Sequence, residues 1–544
     1  MEDNGASKNY EEWLKIIHQT SGDKVGKEET FGDKESKEGE AVKVQKNDFL
    51  IIGLVFLLAF IPRIVYMFIF SDPQTPGWYT DTFHHWQIAY LSKEIGFSHG
   101  FLRLWDFKGM EFFWGLLHPL VLVILFTLTG SISILIPKLL TVVSGSVGIL
   151  FLFLLIRRYF NLQAAWAVAL FAAFFPLTLF SNTVGMQEEF GFMLILGGIL
   201  LWPKNPVATG ILLGLGSMIR SEYWLFSVGL VIAVLVLRKN MDKAVLLVVT
   251  YTVMTLVYMK YLANWTGNYI YPIYWNFLAS AKGEWFADLP IVGEKLLAKQ
   301  ISQGIFLFGI IGGLFTLYKK PKHALLFLFG FANIAFVGFM VGFGAYAKGY
   351  IPRFWVDRLY NWPYLFTAIL FILGLFYLIP KKFPLFNKLK LNWLLLISLV
   401  VLSQFIWKPI NYFLQPMEHV YIGEKQVAAD IAQAYKGGTV LLPEDRPIVT
   451  YYLAHDFKVP GKNMEGQMFD PFFYFENKKD PFSDWGEDRK IVLDWLKKDD
   501  IRLIVLTVPK PTYLGLIKRE PSFFENVFSN SSITFYKVLV DKIN

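Results

Sequence analysis

The sequence predicts a mainly α fold: a polytopic transmembrane helix bundle of about eleven spans, followed by a small extracytoplasmic α/β domain. Hydrophobic residues make up 54% of the 544-residue chain and charged residues only 18%, a balance that soluble globular proteins do not show. The apolar residues lie in runs long enough to cross about 30 Å of hydrocarbon. From Gln415 onward the hydropathy falls, and helix-like and strand-like patterns alternate, which predicts the α/β domain.

Residues 1–48 are polar and charged with almost no apolar periodicity, which predicts a mostly disordered cytoplasmic tail. The tail is too long and too acidic to begin a signal peptide, so we expect the apolar run 49–70 to remain as a membrane span. Residues 49–414 then form the transmembrane domain with a first outer loop at 71–131. Residues 415–544 form the α/β domain, in which QVAADIAQAYK and RKIVLDWLKKDD predict helices and TVLLP, IRLIVLTV and SSITFYKVLV predict strands.

The basic residues determine the predicted orientation, because Lys and Arg are enriched in the cytoplasmic loops of membrane proteins. If every apolar run crossed the membrane, Arg157 and Arg158 would lie outside. We therefore expect the run 112–129 to be re-entrant or interfacial, and its His118-Pro119 pair favours a broken helix. The N-terminus is then cytoplasmic and the C-terminal domain extracytoplasmic. The predicted spans are 49–70, 132–156, 161–180, 184–202, 206–220, 223–238, 244–262, 302–318, 323–343, 362–379 and 391–409.

Several classes of protein are disfavoured by what the sequence lacks. The chain has no cysteine, so a disulfide framework, a thiolate nucleophile and a Cys-ligated metal are excluded. It has no Walker loop, no GxGxxG and no GxSxG, which disfavours a nucleotide-driven enzyme or an ATP-powered pump. The net charge of +8 comes from short basic clusters between apolar runs, so we expect no nucleic-acid partner.

The first outer loop contains the strongest candidate for a catalytic group. Its segment WYTDTFHHWQIAYLSKEIG, residues 78–96, places Asp81 at the bilayer surface among aromatic residues, where a carboxylate is a candidate general base. Asp81 also begins a run with amphipathic helix spacing, and the alternative is that it caps that helix. The two interpretations are compatible, because a capping carboxylate can also face a cavity.

Further charged residues lie at the outer ends of predicted spans, where charge is costly and function is a common reason for it. Glu188 and Glu189 in SNTVGMQEEFGF begin a predicted helix, where the macrodipole alone also favours carboxylates. Arg220 and Glu222 lie between two spans, and the alternative is that they mark an ordinary outer turn. All of these residues fall on the same side of the membrane as Asp81 in the predicted topology.

The outer loop 344–361 is rich in arginine and aromatic residues. Its Arg353 and Arg358 are either ordinary loop cations or phosphate ligands, since guanidinium groups suit phosphate oxygens. Tyr360 belongs to the same predicted substrate-binding set.

The first loop region contains His84, His85, His99 and His118, and the first two complete the predicted substrate-binding set. Together with Asp81, these histidines leave a divalent metal open as a cofactor. No close ligand spacing such as HExxH is present, so the metal remains unassigned.

Several segments resemble the GT-C superfamily of polytopic glycosyltransferases, which use sugars linked to polyprenyl (for example dolichyl) phosphate. The likeness covers roughly residues 49–202 and is to the branch of protein mannosyltransferases and lipid A aminoarabinose transferases. It rests on residues 78–96 and on FFWGLLHPLVLVILFTLTG, IPKLLTVVSGSVGILFLFLLIRRYF and LFAAFFPLTLFSN. RFWVDRLYNWPYLFTAILFILGL is similar to a late outer loop and helix of these proteins, and the small C-terminal domain also fits.

The resemblance implies an inverting transfer of one sugar from a polyprenyl-phosphate donor to a protein, lipid or glycan acceptor on the outer face. It makes Asp81 the catalytic acid of the first loop and gives Arg353 or Arg358 contact with the lipid phosphate. SNTVGMQEEFG is also similar to the second acidic motif of oligosaccharyltransferase catalytic subunits, which implies that Glu189, with Glu188 beside it, is a metal or acceptor-side acid. The chain has no WWDYG-type motif, which argues against transfer of a whole oligosaccharide to asparagine.

Three other functions stay open from the sequence. One is oligosaccharyltransferase-like transfer of a lipid-linked glycan. Another is a flippase or transporter for such glycans, which predicts paired broken helices and internal repeats. The third is a non-catalytic scaffold that presents the α/β domain, which gives no reason for acids and arginines to gather on one face.

Overall fold

The computed structural model describes a large part of the chain, and the fold is given for these residues alone. The chain divides into two units after Ile51, and the site described below lies in the second. The predicted tail 1–48, the outer loop 344–361 and the last four predicted spans lie almost entirely outside the described residues. Those described are 46–69, 81–96, 114–160, 162–236, 241–274, 422–442, 446–466, 485–506, 511–530 and 533–543, with single helical positions at 311, 314, 318, 361, 365, 366, 369, 370, 372 and 373.

Helices make up most of the described chain before residue 275. By length and apolar composition, three of them can cross a membrane within the described ranges: 48–69, 135–159 and 241–266. The helices are α1 (Lys46–Ile69), α2 (Asp81–Ile95), α3 (Leu117–Thr129), α4 (Leu135–Tyr159), α5 (Leu162–Phe174), α6 (Pro176–Ser181), α7 (Glu188–Leu201), α8 (Pro206–Ser217), α9 (Ser221–Val236) and α10 (Met241–Thr266).

The long helices α1, α4 and α10 coincide with three predicted spans, whereas the predicted span 161–180 is divided. It consists of α5 and α6, because Phe175 precedes a proline and takes an extended backbone (φ −64°, ψ 121°). The helices α5, α7 and α8 have 12 to 14 residues, so each is about 20 Å long and falls short of a full crossing. The count of about eleven spans therefore stays a prediction.

The run 112–129, predicted to be a broken and non-spanning stretch, contains the short helix α3. Pro119 lies in its first turn, where proline costs little, so it marks the start of a helix rather than a break within one. The helix has 13 residues and ends at Gly130, which adopts a left-handed backbone (φ 64°). Its length of about 20 Å is too short to cross the hydrocarbon alone.

Five strands of the C-terminal part form one mixed sheet in the order β2-β1-β3-β5-β4. The β1 strand pairs in parallel with β2 and β3, while β5 pairs antiparallel with β3 and β4. The elements are α11 (Ile422–Ala434), β1 (Thr439–Leu442), α12 (Pro447–His455), β2 (Met464–Gly466), α13 (Trp485–Lys498), β3 (Ile501–Leu506), α14 (Pro511–Arg519), β4 (Phe524–Ser529) and β5 (Thr534–Val538).

Both faces of this sheet are covered by helices, as the nearly continuous apolar strands require. Val440 and Leu442 face a core that they share with α11 and α12, whereas Leu441 faces α13 and α14. The predicted helices α11 and α13 and strands β1, β3 and β5 are present. The prediction missed α12, because its sequence PIVTYYLAH is rich in β-branched and aromatic residues, which favour strands.

The helix α12 lies between the sheet and α2, and this contact places the first outer loop against the C-terminal part. The rings of Phe83 and Trp86 each meet Tyr451 edge-on with centroids 5.0 Å apart. The amide of Gln87 donates to the Thr450 hydroxyl at 3.1 Å. We predicted an amphipathic, interfacial helix at α2, but ten of its fifteen residues are buried. That prediction was wrong because α3 and α12 cover the faces that were expected to meet lipid and water.

Tyr451 combines ring packing with a polar contact, since its hydroxyl accepts a hydrogen bond from the backbone N–H of Ile134 at 3.3 Å. We expect Tyr451→Phe to lower the stability by about 1 kcal/mol, the usual value of one hydrogen bond. Tyr451→Ala should cost about 3–5 kcal/mol because it empties a packed aromatic site. Thermal unfolding of the purified protein in detergent measures both, with Val527→Ala on the exposed surface of β4 as control. Equal losses for the three variants would contradict this packing.

The carboxylate of Glu520 accepts two hydrogen bonds from Arg489, at 2.5 Å and 3.1 Å, and these bonds hold the pKa of Glu520 below its usual value. Because the folded-state pKa is depressed, the pair stabilises the fold above the unfolded-state pKa of about 4.3 and loses this contribution as the pH falls. Glu520→Gln should therefore cost up to about 1 kcal/mol at neutral pH.

The same cost should shrink as the pH falls below the unfolded-state pKa of about 4.3. Unfolding midpoints of wild type and variant across this range test the expectation, with Glu525→Gln on the exposed surface of β4 as the matched control. A deficit for Glu520→Gln that grows on acidification would have the wrong sign.

Candidate active site

The predicted catalytic acid is the first residue of α2, as the helix spacing predicts. Asp81 is partly exposed and the next residue, Thr82, is fully buried. The Thr82 hydroxyl donates to the backbone oxygen of Val184 at 2.6 Å. The start of α2 is thereby joined to the turn that precedes α7, although the two lie about a hundred residues apart in the sequence.

This turn, residues 182–187, packs closely enough to require glycine. Gly185 has φ +83°, and a Cβ atom there would lie 2.8 Å from the Thr82 side chain and 3.3 Å from that of Lys138. Lys138, on α4, is fully buried. The turn therefore brings a buried cation and the start of the Asp81 helix to one place.

The first acid of α7 is held in a buried ion cluster. Arg220 donates from Nη1 to Glu188 Oε1 at 2.8 Å. The same guanidinium donates from Nη2 to Glu222 Oε1 at 2.7 Å and from Nε to Glu222 Oε2 at 3.0 Å. A buried charge is stable only when it is paired and hydrogen-bonded, and here one guanidinium serves two carboxylates. The residues at the predicted outer turn are thus joined to the head of α7.

The second acid of α7 belongs to a separate polar network. Glu189 is fully buried, and its Oε1 accepts hydrogen bonds from the Ser181 hydroxyl at 2.7 Å and from the Asn361 amide at 3.0 Å. The Asn361 oxygen accepts a third bond from the Thr178 hydroxyl at 2.8 Å. Glu189 therefore links α6 and α7 to Asn361, the last residue of the predicted arginine-rich loop.

Sequence reasoning missed two cations that lie inside predicted spans, Arg63 and Lys138, both fully buried. Arg63 donates to the side-chain oxygen of Asn182 at 2.7 Å and to the backbone oxygen of Ala59 at 2.6 Å, and it interacts electrostatically with Glu189. The signal was available, because a charge in the middle of an apolar run is costly and usually has a role. Only the ends of the spans were considered.

The predicted histidines meet around Trp114. His85 and His118 are fully buried, with ring centroids 5.0 Å apart, and the His85 ring lies 4.6 Å from that of Trp114. The partly exposed His84 lies 5.8 Å from Trp114. Within the described ranges, no group of three or more His, Asp or Glu side chains is placed to hold a metal ion. His99 lies outside those ranges.

The segment that carries Trp114 packs on the turn that carries Arg220. The N–H of Leu117 donates to the backbone oxygen of Met218 at 3.0 Å. Gly115 lies just before Leu117 and has φ +92°. A Cβ atom there would lie 2.5 Å from the backbone oxygens of Met218 and Ile219. The backbone beside the histidines around Trp114 therefore contacts the backbone beside Arg220 and its ion pairs. Arg353, Arg358 and Tyr360, which complete the predicted site, lie outside the described residues.

The chain shares its fold with an archaeal oligosaccharyltransferase and with ArnT, as the sequence resemblance predicts. No family model and no curated protein sequence matches the chain. Among solved structures, it is similar to ArnT from Cupriavidus metallidurans bound to undecaprenyl phosphate, with 14% identity over 90% of this chain and 97% of that one and a TM-score of 0.52. It is also similar to the apo oligosaccharyltransferase of Archaeoglobus fulgidus, with 13% identity over 84% and 69% of the two chains and a TM-score of 0.50.

A third similar structure is the Archaeoglobus fulgidus oligosaccharyltransferase AglB in complex with an inhibitory peptide and a dolichol-phosphate, at 13% identity over 84% and 69% of the two chains and a TM-score of 0.50. At such identities the likeness establishes a shared fold, and the reaction has to be argued from the site.

Gly115 provides a test of the contact between the two clusters. Gly115→Ala should destabilise the protein more than Gly130→Ala by about 1–3 kcal/mol. Both residues have positive φ, so both variants carry that backbone cost, but only the Gly115 site lacks space for a methyl group. Thermal unfolding in detergent compares them, and equal midpoints would show that the segment does not pack on the Arg220 turn.

Proposed function

We propose that the protein is an integral membrane glycosyltransferase that moves one sugar from a polyprenyl-phosphate-linked donor to an acceptor on the outer face of the membrane. The proposal rests on two contacts at the head of α7 within a GT-C fold. Thr82 donates a hydrogen bond to the turn before α7, and Arg220 pairs with Glu188. Carboxylates and guanidinium groups from distant parts of the chain then share one region.

Asp81 is the proposed general base. It accepts the proton of the acceptor hydroxyl as that oxygen attacks the anomeric carbon, and the bond from this carbon to the phosphate oxygen breaks. Attack from the face opposite the leaving phosphate inverts the anomeric configuration. The position of Asp81 supports the role, because it is partly exposed while the next residue is anchored to the turn before α7.

Four of the proposed substrate-binding residues lie within the described ranges: Glu188, Glu189, His84 and His85. Among the described residues, Glu189 Oε2 is buried and has no hydrogen-bond partner. A buried acceptor of this kind is costly unless a ligand satisfies it, and a sugar hydroxyl is a suitable donor. The partly exposed His84 lies beside Trp114, and this pair offers an aromatic surface for the same ligand.

Arg353, Arg358 and Tyr360 are proposed to bind the lipid phosphate, on the sequence argument alone. A guanidinium group there would stabilise the charge that develops on the leaving phosphate. The hydrogen bond from Asn361 to Glu189 supports the proposal indirectly, because it joins the last residue of this loop to α7. The isoprenoid tail would lie along apolar helix surfaces in the bilayer.

The solved neighbours support the class of donor and acceptor. The ArnT structure contains undecaprenyl phosphate, and the AglB structure contains a dolichol-phosphate and an inhibitory peptide. The alternative is oligosaccharyltransferase-like transfer of a lipid-linked glycan. Single-sugar transfer is favoured, because the likeness covers 97% of the ArnT chain but only 69% of the oligosaccharyltransferase. In this proposal the N-terminus is cytoplasmic, and the C-terminal part and its acceptor, a protein, lipid or glycan, are extracytoplasmic.

Product analysis with purified protein and a panel of polyprenyl-phosphate sugars tests the proposal. We expect transfer of one sugar with inversion. Transfer of a preassembled glycan would support the oligosaccharyltransferase-like alternative. Donor binding without any product would instead support a flippase, and absence of both would support a scaffold.

Asp81→Asn should lower the turnover by about 10² to 10⁴, the contribution typical of a general base, with little change in donor binding. The amide keeps the size of the carboxylate but cannot accept the proton. Glu94→Gln, near the exposed end of the same helix, is the matched control and should retain wild-type turnover. Wild-type rates for Asp81→Asn would remove Asp81 from the mechanism.

A further inference from the structure

The fully buried guanidinium of Arg63 lies at the broken end of α5. In an unbroken helix the Ala172 carbonyl would accept from the N–H of residue 176, but Pro176 has no N–H. Arg63 supplies donors instead: its Nη2 donates to the Ala172 oxygen and its Nη1 to the Ala173 oxygen, each at 3.4 Å. Nη1 also donates to the oxygen of Ala59 at 2.6 Å. Arg63 therefore joins its own helix, α1, to the end of α5.

The third nitrogen of this guanidinium, Nε, holds the turn 182–187. It donates to the side-chain oxygen of Asn182, the first residue of the turn, at 2.7 Å. A Cβ atom at Gly145 of α4 would overlap the same oxygen, so α4 confines the Asn182 side chain from another direction. Residues 182–187 are all buried. Because their backbone is irregular, their position depends on contacts from other elements rather than on the repeating hydrogen bonds of a helix.

The turn carries this placement to the candidate site. The backbone oxygen of Val184 accepts from the Thr82 hydroxyl at 2.6 Å, and Thr82 follows Asp81 directly. At its other end the turn leads into Glu188, the first residue of α7. The same guanidinium also interacts electrostatically with Glu189. A displacement of the turn would therefore change the separation between Asp81 and the acids of α7.

We propose that Arg63 is a positioning residue: its guanidinium fixes the turn 182–187 and thereby the separation between Asp81 and the acids of α7. The effect on turnover rests on the proposed function, whereas the fixing of the turn does not. A guanidinium suits this task, because its donors lie in one rigid plane and reach α1, α5 and the turn together. A lysine ammonium is a point charge on a flexible stem. Arg63→Lys therefore separates the geometry of the group from its charge.

Turnover per folded molecule tests the proposal with a donor that the wild type uses. Arg63→Lys keeps the charge but cannot reach all three elements, and Asn182→Ala removes only the contact with the turn. Each should lower kcat by about tenfold to 10²-fold and leave the donor KM within about twofold, because misplacement affects the approach of the reacting groups rather than donor binding. Wild-type kcat in both folded variants would overturn the proposal.

Arg158→Lys is the matched control. Arg158 is exposed, and its Nη1 donates to the backbone oxygen of Leu200 at the far end of α7 at 2.8 Å. It therefore makes the same kind of contact with a helix end, remote from the turn. This variant should keep the wild-type kcat, and a loss equal to that of Arg63→Lys would contradict a role specific to Arg63.

The double variant tests whether the two residues act through one contact. If Arg63 fixes the turn through Asn182, the kcat of Arg63→Lys with Asn182→Ala should be about that of Arg63→Lys alone. Losses that multiply would contradict the proposal. If Arg63→Lys does not fold, the kcat of Asn182→Ala decides.

A distance measurement needs no substrate. The chain has no cysteine, so Lys93→Cys near the end of α2 and Lys204→Cys beyond the end of α7, both at exposed positions, accept two spin labels at defined sites. Double electron–electron resonance should give one narrow distance distribution for the labelled protein, a broader one when Asn182→Ala is added, and no change with Arg158→Lys. An unchanged distribution with Asn182→Ala would overturn the fixing of the turn. Absence of product from every donor would contradict the proposed function alone, and the distances would still decide the role of the contact.

Discussion

The structure depends on the compensation of charges that lie inside an apolar helix bundle. A lone ionised side chain in such surroundings costs several kcal/mol, so each one needs a partner from another element. Arg220 pairs with Glu188 and Glu222. Arg63 donates a hydrogen bond to Asn182 and interacts electrostatically with Glu189. These pairs orient the helices, because apolar packing alone has little directional preference.

The proposed catalytic region is held in place by contacts between distant parts of the chain. The first outer loop contributes Asp81, and the Thr82 hydroxyl links it to the turn that leads into α7. Phe83 and Trp86 of the same helix pack against Tyr451 of the C-terminal part. The helix of the proposed base is therefore held between the bundle and the sheet, which is the rigid support that a general base needs for a productive approach to the acceptor.

Solved structures of other membrane proteins have the same fold as this chain. ArnT and the oligosaccharyltransferases share the fold with this chain at 13–14% identity, and a fold of this kind accommodates different donors and acceptors through its loops. In this chain Arg220 joins Glu188 and Glu222 in a buried ion cluster at the head of α7. Charges buried in such surroundings are costly, and function is a common reason for them.

The sequence by itself determined the features that depend on local patterns: the apolar helices, the helix start at Asp81, the strands β1, β3 and β5, and the acids at the head of α7. Periodicity and capping act over a few residues, so they can be read from a short window. Only the tertiary structure decided that α2 is largely buried, that Arg220 joins Glu188, and that Arg63 and Lys138 are fully buried. These outcomes depend on contacts between residues tens to hundreds of positions apart, which no local period encodes.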